Sequence, residues 1–169
     1  MYTQAFFCDK ARTVARKLIG STLVFNNQQA LILETEAYEG LNDPASHAYK
    51  GITQRNALMF KKPGFAYIYL IYGRHLCLNV TTAPEGIPGS VFIRAVKWAD
   101  QYFNGPGKLT KALGITIEDN GRNLCQDPLF YMAQGMVISK NDIIQSPRIG
   151  IKRGVDKPWR FLLEKHIGY

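Results

Sequence analysis

The segment 30–38 places the tightest constraint on the fold, because an apolar, β-favouring run leads directly into two glutamates. Residues 30–33 are all apolar, which is typical of a strand inside a sheet. Side chains alternate along a strand, so Glu34, Glu36 and Tyr38 are expected on one face and the residues between them on the other. The pattern predicts a buried strand that ends in two carboxylates and an aromatic ring on the same side.

The pair Glu34 and Glu36 is open to three interpretations. Both could be solvated at a strand edge, which is the commoner case for an arbitrary pair. Both could bind a metal, or one could be a base in a partly dry pocket where its pKa rises. The apolar residues before Glu34 favour the interpretation in which one glutamate is a base in a partly dry pocket. Because His47 and His75 have no second ligand at a fixed spacing, the sequence predicts no metal site.

Composition indicates a folded, basic protein that meets a polyanion. The 169 residues carry a formal net charge of +8, and 46% are hydrophobic. The charge favours nucleic acid as a partner, although many basic proteins bind nothing specific. No apolar run approaches the roughly 20 residues that span a bilayer, so no membrane association is predicted. Three cysteines without a CxxC pair fit a reducing cytosol.

The order of predicted elements indicates an α+β protein with a mixed sheet and a single domain over residues 1–169. The predicted helices cover 9–19 and 108–113, with a helical turn near 44–47 in a loop over 39–54. The predicted strands cover 21–25, 30–33, 65–72, 75–80, 91–96, 136–138, 148–151 and 160–163.

The aromatic segment 67–74 is predicted to form a hairpin. Tyr67 and Tyr69 share one face, and core packing can account for Tyr67. Tyr72 sits at the turn beside a glycine, where core packing is harder to invoke. With Arg74 next to it, Tyr72 is predicted to act as a wedge between base pairs, backed by a phosphate contact.

Residues 105–109 read Gly-Pro-Gly-Lys-Leu and are predicted to open a basic helix. Such a turn can present backbone N–H groups to a phosphate. It lacks the spacing and the hydroxyl of a P-loop, so a nucleotide-triphosphate site is not predicted. A DNA phosphate contact by Lys108 and a plain helix start both remain open.

Ten short blocks occur in an order that resembles the alkyladenine (3-methyladenine) DNA glycosylase family of base-excision repair. The resemblance covers nearly the whole chain, and its most specific part is the segment 34–73. The blocks are residues 34–38, 46–48, 54–56, 59–60, 62–64, 67–73, 77–80, 93–95, 105–109 and 148–150.

The resemblance implies a fold and a catalytic centre. The fold would be a single compact α+β domain with a curved, mostly antiparallel sheet, flanking helices and a protruding β-hairpin. Glu36 matches the family's general base, which activates water. Arg94 matches the arginine that helps to hold this water, and Ile149 sits where the family uses a backbone carbonyl for the same purpose.

The resemblance also implies a base pocket and a DNA-binding surface. Tyr38 and His47 match residues that pack on one face of a flipped base, and Tyr69 matches the residue on the other face. Asn79 matches an asparagine on the pocket floor, which in the family disfavours the exocyclic amine of guanine. Tyr72 matches the tyrosine that fills the gap left in the duplex. The further DNA contacts are expected from Thr53, Arg55, Arg74 and Lys108.

The chain departs from the family pattern at a few places. Phe92 stands where a smaller aliphatic residue is expected, Arg74 replaces an apolar residue beside the wedge, and two loops differ in length. Because no lysine lies between Glu36 and His47, a monofunctional glycosylase without strand cleavage is predicted.

The predicted partner is double-stranded DNA with damaged purines, bound by a monomer without a cofactor. The predicted location is the cytoplasm, at the nucleoid in a bacterium, or the nucleus in a eukaryote. The alternatives are a non-catalytic module that binds distorted DNA and a metal-dependent hydrolase built on Glu34, Glu36 and His47.

Overall fold

Antiparallel strands dominate the computed structural model, which describes residues 1–163. The helices are α1 (Gln4–Phe7), α2 (Ala11–Lys17) and α3 (Pro106–Leu113), with 3-10 turns at Gly40–Asn42, Ala57–Phe60, Ile117–Asp119 and Lys140–Asp142. The strands are β1 (Thr22–Phe25), β2 (Gln28–Tyr38), β3 (Ala66–Ile71), β4 (His75–Thr81), β5 (Ser90–Trp98), β6 (Gln101–Asn104), β7 (Phe130–Ala133), β8 (Ile143–Ser146) and β9 (Arg160–Leu163).

The sheet curls because the two longest strands, β2 and β5, each pair with different strands along their length. The main order is β3-β4-β5-β2-β1-β7. Strand β5 pairs with β4 near its start and with β6 near its end, while β2 pairs first with β1 and then with β9. The register between β2 and β5 shifts around Glu34, and such irregularities bend a strand. The result is a half-barrel in which β2 reaches the concave centre.

The two faces of β2 serve different purposes. Thr35 is fully buried and its hydroxyl donates to the backbone carbonyl of Ala15 in α2 at 2.9 Å. This face belongs to the main hydrophobic core, which α2, α3 and the sheet enclose. Glu36 points the other way, toward a smaller apolar cluster of Ala48, Met59 and Tyr67. The alternation along β2 therefore separates the core from the candidate site.

Most predicted elements are confirmed, including the α+β class and the curved antiparallel sheet. The first hairpin closes through Asn26 and Asn27, both at positive φ, as a type I′ turn requires. The predictions of strands at 136–138 and 148–151 are wrong, and residues 44–47 form turns in place of the predicted helical turn. The structure instead forms α1, β6, β7 and β8, which the apolar pattern did not reveal.

The predicted strand at 148–151 does not form, for a physical reason. Arg148 is buried, and its guanidinium donates to the carboxylate of Asp43 and to the carbonyl oxygens of Ala37 and Gly154. These bonds fold the segment into a loop over the end of β2 in place of a strand. Within residues 1–163, no helix is long and apolar enough to cross a membrane.

Ile93→Ala tests the core on the α2 face. Ile93 is fully buried on β5, opposite Thr35, so truncation should leave a cavity and cost roughly 2–5 kcal/mol of the free energy of unfolding. Val137→Ala is the control, because Val137 is 87% exposed and should change that free energy by about 0.5 kcal/mol or less. Denaturant unfolding measures both. Equal losses would contradict this account of the core.

Candidate active site

Glu36 is the centre of the site, and it is fully buried. One carboxylate oxygen, Oε1, accepts the backbone N–H of Ile149 at 2.7 Å, and the other, Oε2, accepts the Tyr38 hydroxyl at 2.9 Å. The Nε of Arg94 lies 3.5 Å from Oε1. The Ile149 N–H thus contacts Glu36 directly, and the role of the Ile149 carbonyl in holding a water stays a prediction.

Glu34 has a separate set of partners. Its Oε1 accepts hydrogen bonds from the Nε of Arg94 at 3.0 Å and from the Nε of Arg160 at 2.6 Å. Arg160 also donates to the hydroxyl of Ser146. Two carboxylates and two guanidiniums thus form a charge-balanced group under the sheet. Both cations contact Glu34, whereas Glu36 accepts one backbone N–H and one hydroxyl and has only Arg94 nearby as a cation.

Burial raises the pKa of Glu36 above its ordinary value. Removal from water penalises the carboxylate, while the nearby Arg94 cation, the Ile149 N–H and the Tyr38 hydroxyl favour it and oppose the rise. A carboxylate whose pKa is raised in this way is a stronger base than an exposed one, and the nearby cation and donors limit the rise. This balance suits a general base.

A cavity of about 430 Å³ opens next to Tyr38, whose hydroxyl donates to Glu36. Aromatic and polar side chains line it. Its lining residues are Tyr38, Pro44, Ala45, His47, Met59, Tyr67, Tyr69, Asn79, Ser90, Gly150, Ile151, Lys152 and Arg153. All four of the residues predicted to surround a base therefore line one cavity.

The aromatic rings of the cavity contact one another. His47 lies 4.6 Å from Tyr69 and 6.2 Å from Tyr67, measured between ring centroids, and the nearest ring partner of Tyr38 is Phe92 at 6.5 Å. His47 is thus next to Tyr69 at the cavity edge. The assignment of Tyr38 and His47 to one wall and Tyr69 to the other stays a prediction.

His47 is held by hydrogen bonds to its ring and its backbone. Its Nδ1 is 2.9 Å from the Tyr67 hydroxyl, and burial together with the nearby Arg55 cation lowers the pKa of the imidazole. The side-chain amide of Asn56 donates to the carbonyl oxygens of His47 and Gly51. Asn56 and Tyr67 thus support His47, a role that the sequence pattern did not predict although both lie within the blocks of the resemblance.

Asn79 is 2% exposed on β4 and forms part of the cavity floor. Its side-chain amide donates to the backbone carbonyl of Tyr67 at 3.0 Å and more weakly to that of Cys77 at 3.4 Å. In the sheet, Asn79 and Glu36 are both paired with Phe92. The side chain is therefore held in a fixed orientation and is a rigid surface for whatever enters.

Tyr72 projects from the tip of the hairpin formed by β3 and β4. It is 87% exposed, and it shares a positive φ with Gly73. The N–H of Arg74 donates to the carbonyl of Ile71 and closes the turn. The ring is therefore accessible at the tip of the hairpin, a position that suits insertion into a ligand.

The remaining predicted DNA contacts lie on three elements. Thr53 exchanges backbone and side-chain hydrogen bonds with Asn56. The Arg55 guanidinium lies 5.1 Å over the Tyr69 ring. Lys108 is in the first turn of α3, which packs against β4. Arg55 is therefore at the cavity, while Thr53 lies on the adjoining loop and Lys108 on a separate helix.

Residues 1–163 contain no group of three or more histidine, cysteine, aspartate or glutamate side chains that could hold a metal ion. His47 bonds to Tyr67, and Glu34 bonds to two arginines. The three residues of the metal-hydrolase alternative thus have other partners.

Comparison with known proteins identifies the family of the chain. The methylpurine-DNA glycosylase family model matches residues 5–167. The chain belongs to this family. A candidate 3-methyladenine DNA glycosylase of Ehrlichia chaffeensis is 44% identical over 165 residues, covering 95% of this chain and 91% of the relative. One of Rickettsia peacockii is 44% identical over 161 residues, covering 94% and 87%.

Membership of the methylpurine-DNA glycosylase family makes the chain a hydrolase that acts on N-glycosyl bonds, with DNA as its substrate and DNA repair by base excision as its context. The resemblance seen in the sequence is therefore confirmed. The roles of individual residues rest on the geometry described above.

The carboxyl group of Glu36 is expected to titrate above 4.5, the ordinary value for glutamate. Arg94→Gln should move the midpoint further up, because the Arg94 cation favours the charged form. Carbon-13 NMR of the side-chain carboxyls measures both midpoints. Arg12→Gln is the control, since Arg12 lies beside Glu39. A Glu36 midpoint at or below 4.5 would contradict the dominance of burial.

Proposed function

We propose that this chain removes alkylated or deaminated purines from double-stranded DNA by hydrolysis, with Glu36 activating the attacking water. The observation that carries the proposal is a fully buried carboxylate of raised pKa, hydrogen-bonded to a tyrosine that lines an aromatic cavity of about 430 Å³. A cavity of this size is in the range of small-ligand sites and suits one purine base.

The aromatic lining supports the extrusion of a base from the duplex. Extrusion costs a few kcal/mol of lost stacking and pairing. Stacking on an aromatic side chain returns about 1–3 kcal/mol per base, and Tyr38 and Tyr69 offer such rings inside the cavity. The exposed ring of Tyr72 offsets a further part of the cost by filling the space left in the duplex.

The hydrogen bonds of Glu36 leave it able to accept one from water. A carboxylate has about four lone-pair sites, and two of them are taken by the Ile149 N–H and the Tyr38 hydroxyl. Glu36 would remove a proton from the water as its oxygen attacks C1′ of the sugar. The same negative charge would stabilise the oxocarbenium character of the transition state, while Arg94 holds the carboxylate in place.

A single catalytic carboxylate is sufficient if the leaving base needs little protonation. Glycosidases that cleave neutral leaving groups use a pair, whereas here Glu34 is engaged by Arg94 and Arg160. A purine alkylated at N3 or N7 is cationic, so it leaves more readily and stacks well on aromatic faces. This chemistry favours 3-methyladenine and 7-methylguanine, with hypoxanthine and ethenoadenine as further candidates.

Two residues near the cavity floor are proposed to set the substrate range. The fixed amide of Asn79 would disfavour the exocyclic amine of guanine. Phe92 is 6% exposed, and its ring lies between the Tyr38 ring and the Arg94 guanidinium. A phenylalanine there, where the resemblance leads one to expect a smaller residue, narrows the space next to Glu36.

The proposal includes a monofunctional enzyme that acts as a monomer without a cofactor. The DNA contacts would come from Tyr72 and from the cations Arg55, Arg74 and Lys108, with Thr53 on the adjoining loop. Since the relatives named above are bacterial, a cytoplasmic protein associated with the nucleoid is proposed.

Glu36→Gln tests the catalytic assignment. The amide cannot take a proton, so excision of methylated purines from duplex DNA should slow by about 10²–10⁴-fold. Glu39→Gln is the matched control, because that glutamate lies beyond the cavity and contacts Arg12. Release of free base under single-turnover conditions is the measurement. Release at the same rate by wild type and Glu36→Gln would make the catalytic assignment of Glu36 wrong, and no release by wild type would favour the non-catalytic DNA-binding alternative.

Tyr72→Ala tests the wedge. Loss of the ring should slow excision from duplexes by roughly 10- to 100-fold, the equivalent of about 1–3 kcal/mol of stacking. The defect should be smaller for a lesion placed opposite a mismatch, which flips readily. Tyr72→Phe keeps the ring and is expected to behave like wild type. The wedge assignment would be wrong if Tyr72→Ala excised every duplex lesion at the wild-type rate.

A further inference from the structure

Two cations, Lys152 and Arg153, lie at the open end of the cavity. They are the charged members of its lining, and both are exposed. Among residues 1–163 neither forms an ion pair. The acidic groups near the cavity are matched within the protein: Glu34 and Glu36 by Arg94 and Arg160, and Asp43 by Arg148. Arg55, over the Tyr69 ring, is a further cation near the cavity. The mouth of the cavity therefore carries positive charge that no acidic side chain in the described part of the chain offsets.

The loop that carries these cations is attached to the catalytic carboxylate. The N–H of Ile149 donates to Glu36, and the guanidinium of Arg148 bonds to the carbonyl of Gly154. Bonds at both ends of the segment 148–154 thus fix its position over β2. Lys152 and Arg153 are held near the cavity before any ligand arrives, which lowers the entropy cost of using them.

The chemistry of an extruded nucleotide matches this arrangement. With the base inside the cavity, the sugar must lie at the mouth and the two adjoining phosphates just outside it. Phosphate oxygens prefer arginine, which can bind them through two N–H groups, and lysine, which binds as a point charge. Both residue types are present at the mouth.

We infer that Lys152 and Arg153 form a binding site for the phosphodiester groups that flank the extruded nucleotide. The inference rests on the proposed function and deepens it. Because the two cations line the cavity itself, they meet these phosphates only when a base has entered. They therefore stabilise the extruded state in preference to the undistorted duplex, which is met first by the protruding hairpin.

The test removes the two positive charges with Lys152→Gln/Arg153→Gln and compares it with Lys10→Gln/Lys140→Gln. The control removes the same charge from two exposed lysines beside α2, on the opposite face of the sheet. Binding is measured to a plain duplex and to the same duplex with one ethenoadenine, whose fluorescence reports loss of stacking. Thermal unfolding confirms that both variants fold.

Relative to the control, affinity for the ethenoadenine duplex should fall by roughly 10- to 100-fold, as expected for the loss of charged hydrogen bonds. The slope of log affinity against log salt on that duplex should decrease by about two. Affinity for the plain duplex should match that of the control. Lys152→Arg/Arg153→Lys keeps both charges and should restore binding.

Three results would overturn the inference. The first is equal affinity of the two charge-removal variants for the ethenoadenine duplex. The second is an equal loss on plain and damaged duplexes, which would assign the cations to general DNA binding. The third is a borohydride-trapped DNA adduct that disappears in Lys152→Gln, which would make Lys152 a nucleophile. Failure of the proposed function is seen separately, as absence of purine release by the wild-type protein.

Discussion

The buried ion pair between Arg148 and Asp43 is the interaction on which the site depends. Its two side chains have no exposed area, and the guanidinium also bonds to the carbonyl oxygens of Ala37 and Gly154. It therefore joins the end of β2, the loop after it and the segment that donates to Glu36. Loss of one partner of such a pair leaves a buried charge and typically costs about 3–5 kcal/mol. The Arg148 guanidinium also lies over the rings of Tyr38 and Trp159. Because Tyr38 lines the cavity, this contact supports the cavity lining.

Two opposing effects act on Glu36, the proposed general base. Burial raises its pKa, whereas the Arg94 cation and two hydrogen-bond donors favour the ionised form. Glu34 completes the balance by holding Arg94 beside Glu36 through a 3.0 Å contact. A neutral residue at position 34 would leave Arg94 and Arg160 without their shared anion.

The sequence predicted the local features well and the long-range ones in part. The apolar run before Glu34 and the aromatic hairpin each carry a local signal, and each is confirmed. The resemblance placed Tyr38, His47, Tyr69 and Asn79 around one base, and these four residues line one cavity. The pairing of Arg148 with Asp43 has no local signal, because nothing near position 148 indicates its partner. Lys152 at the cavity was not predictable for the same reason, its distance along the sequence. The stretch between Glu36 and His47 contains no lysine, and the fold brings Lys152 to the cavity from more than 100 residues away.

The turn at Tyr72 has a consequence for how the protein could search a genome. A tyrosine at positive φ is uncommon, and it persists only where the surrounding backbone imposes it; here β3 and β4 are paired up to Ile71 and His75. The paired strands thus fix the backbone at Tyr72, and only its side-chain torsions have to be ordered when the proposed wedge meets DNA. Such a wedge would test each base step by collision while electrostatic attraction keeps the protein sliding along the DNA backbone. A weakened step would then be recognised by its low resistance to insertion, before the identity of the base is read.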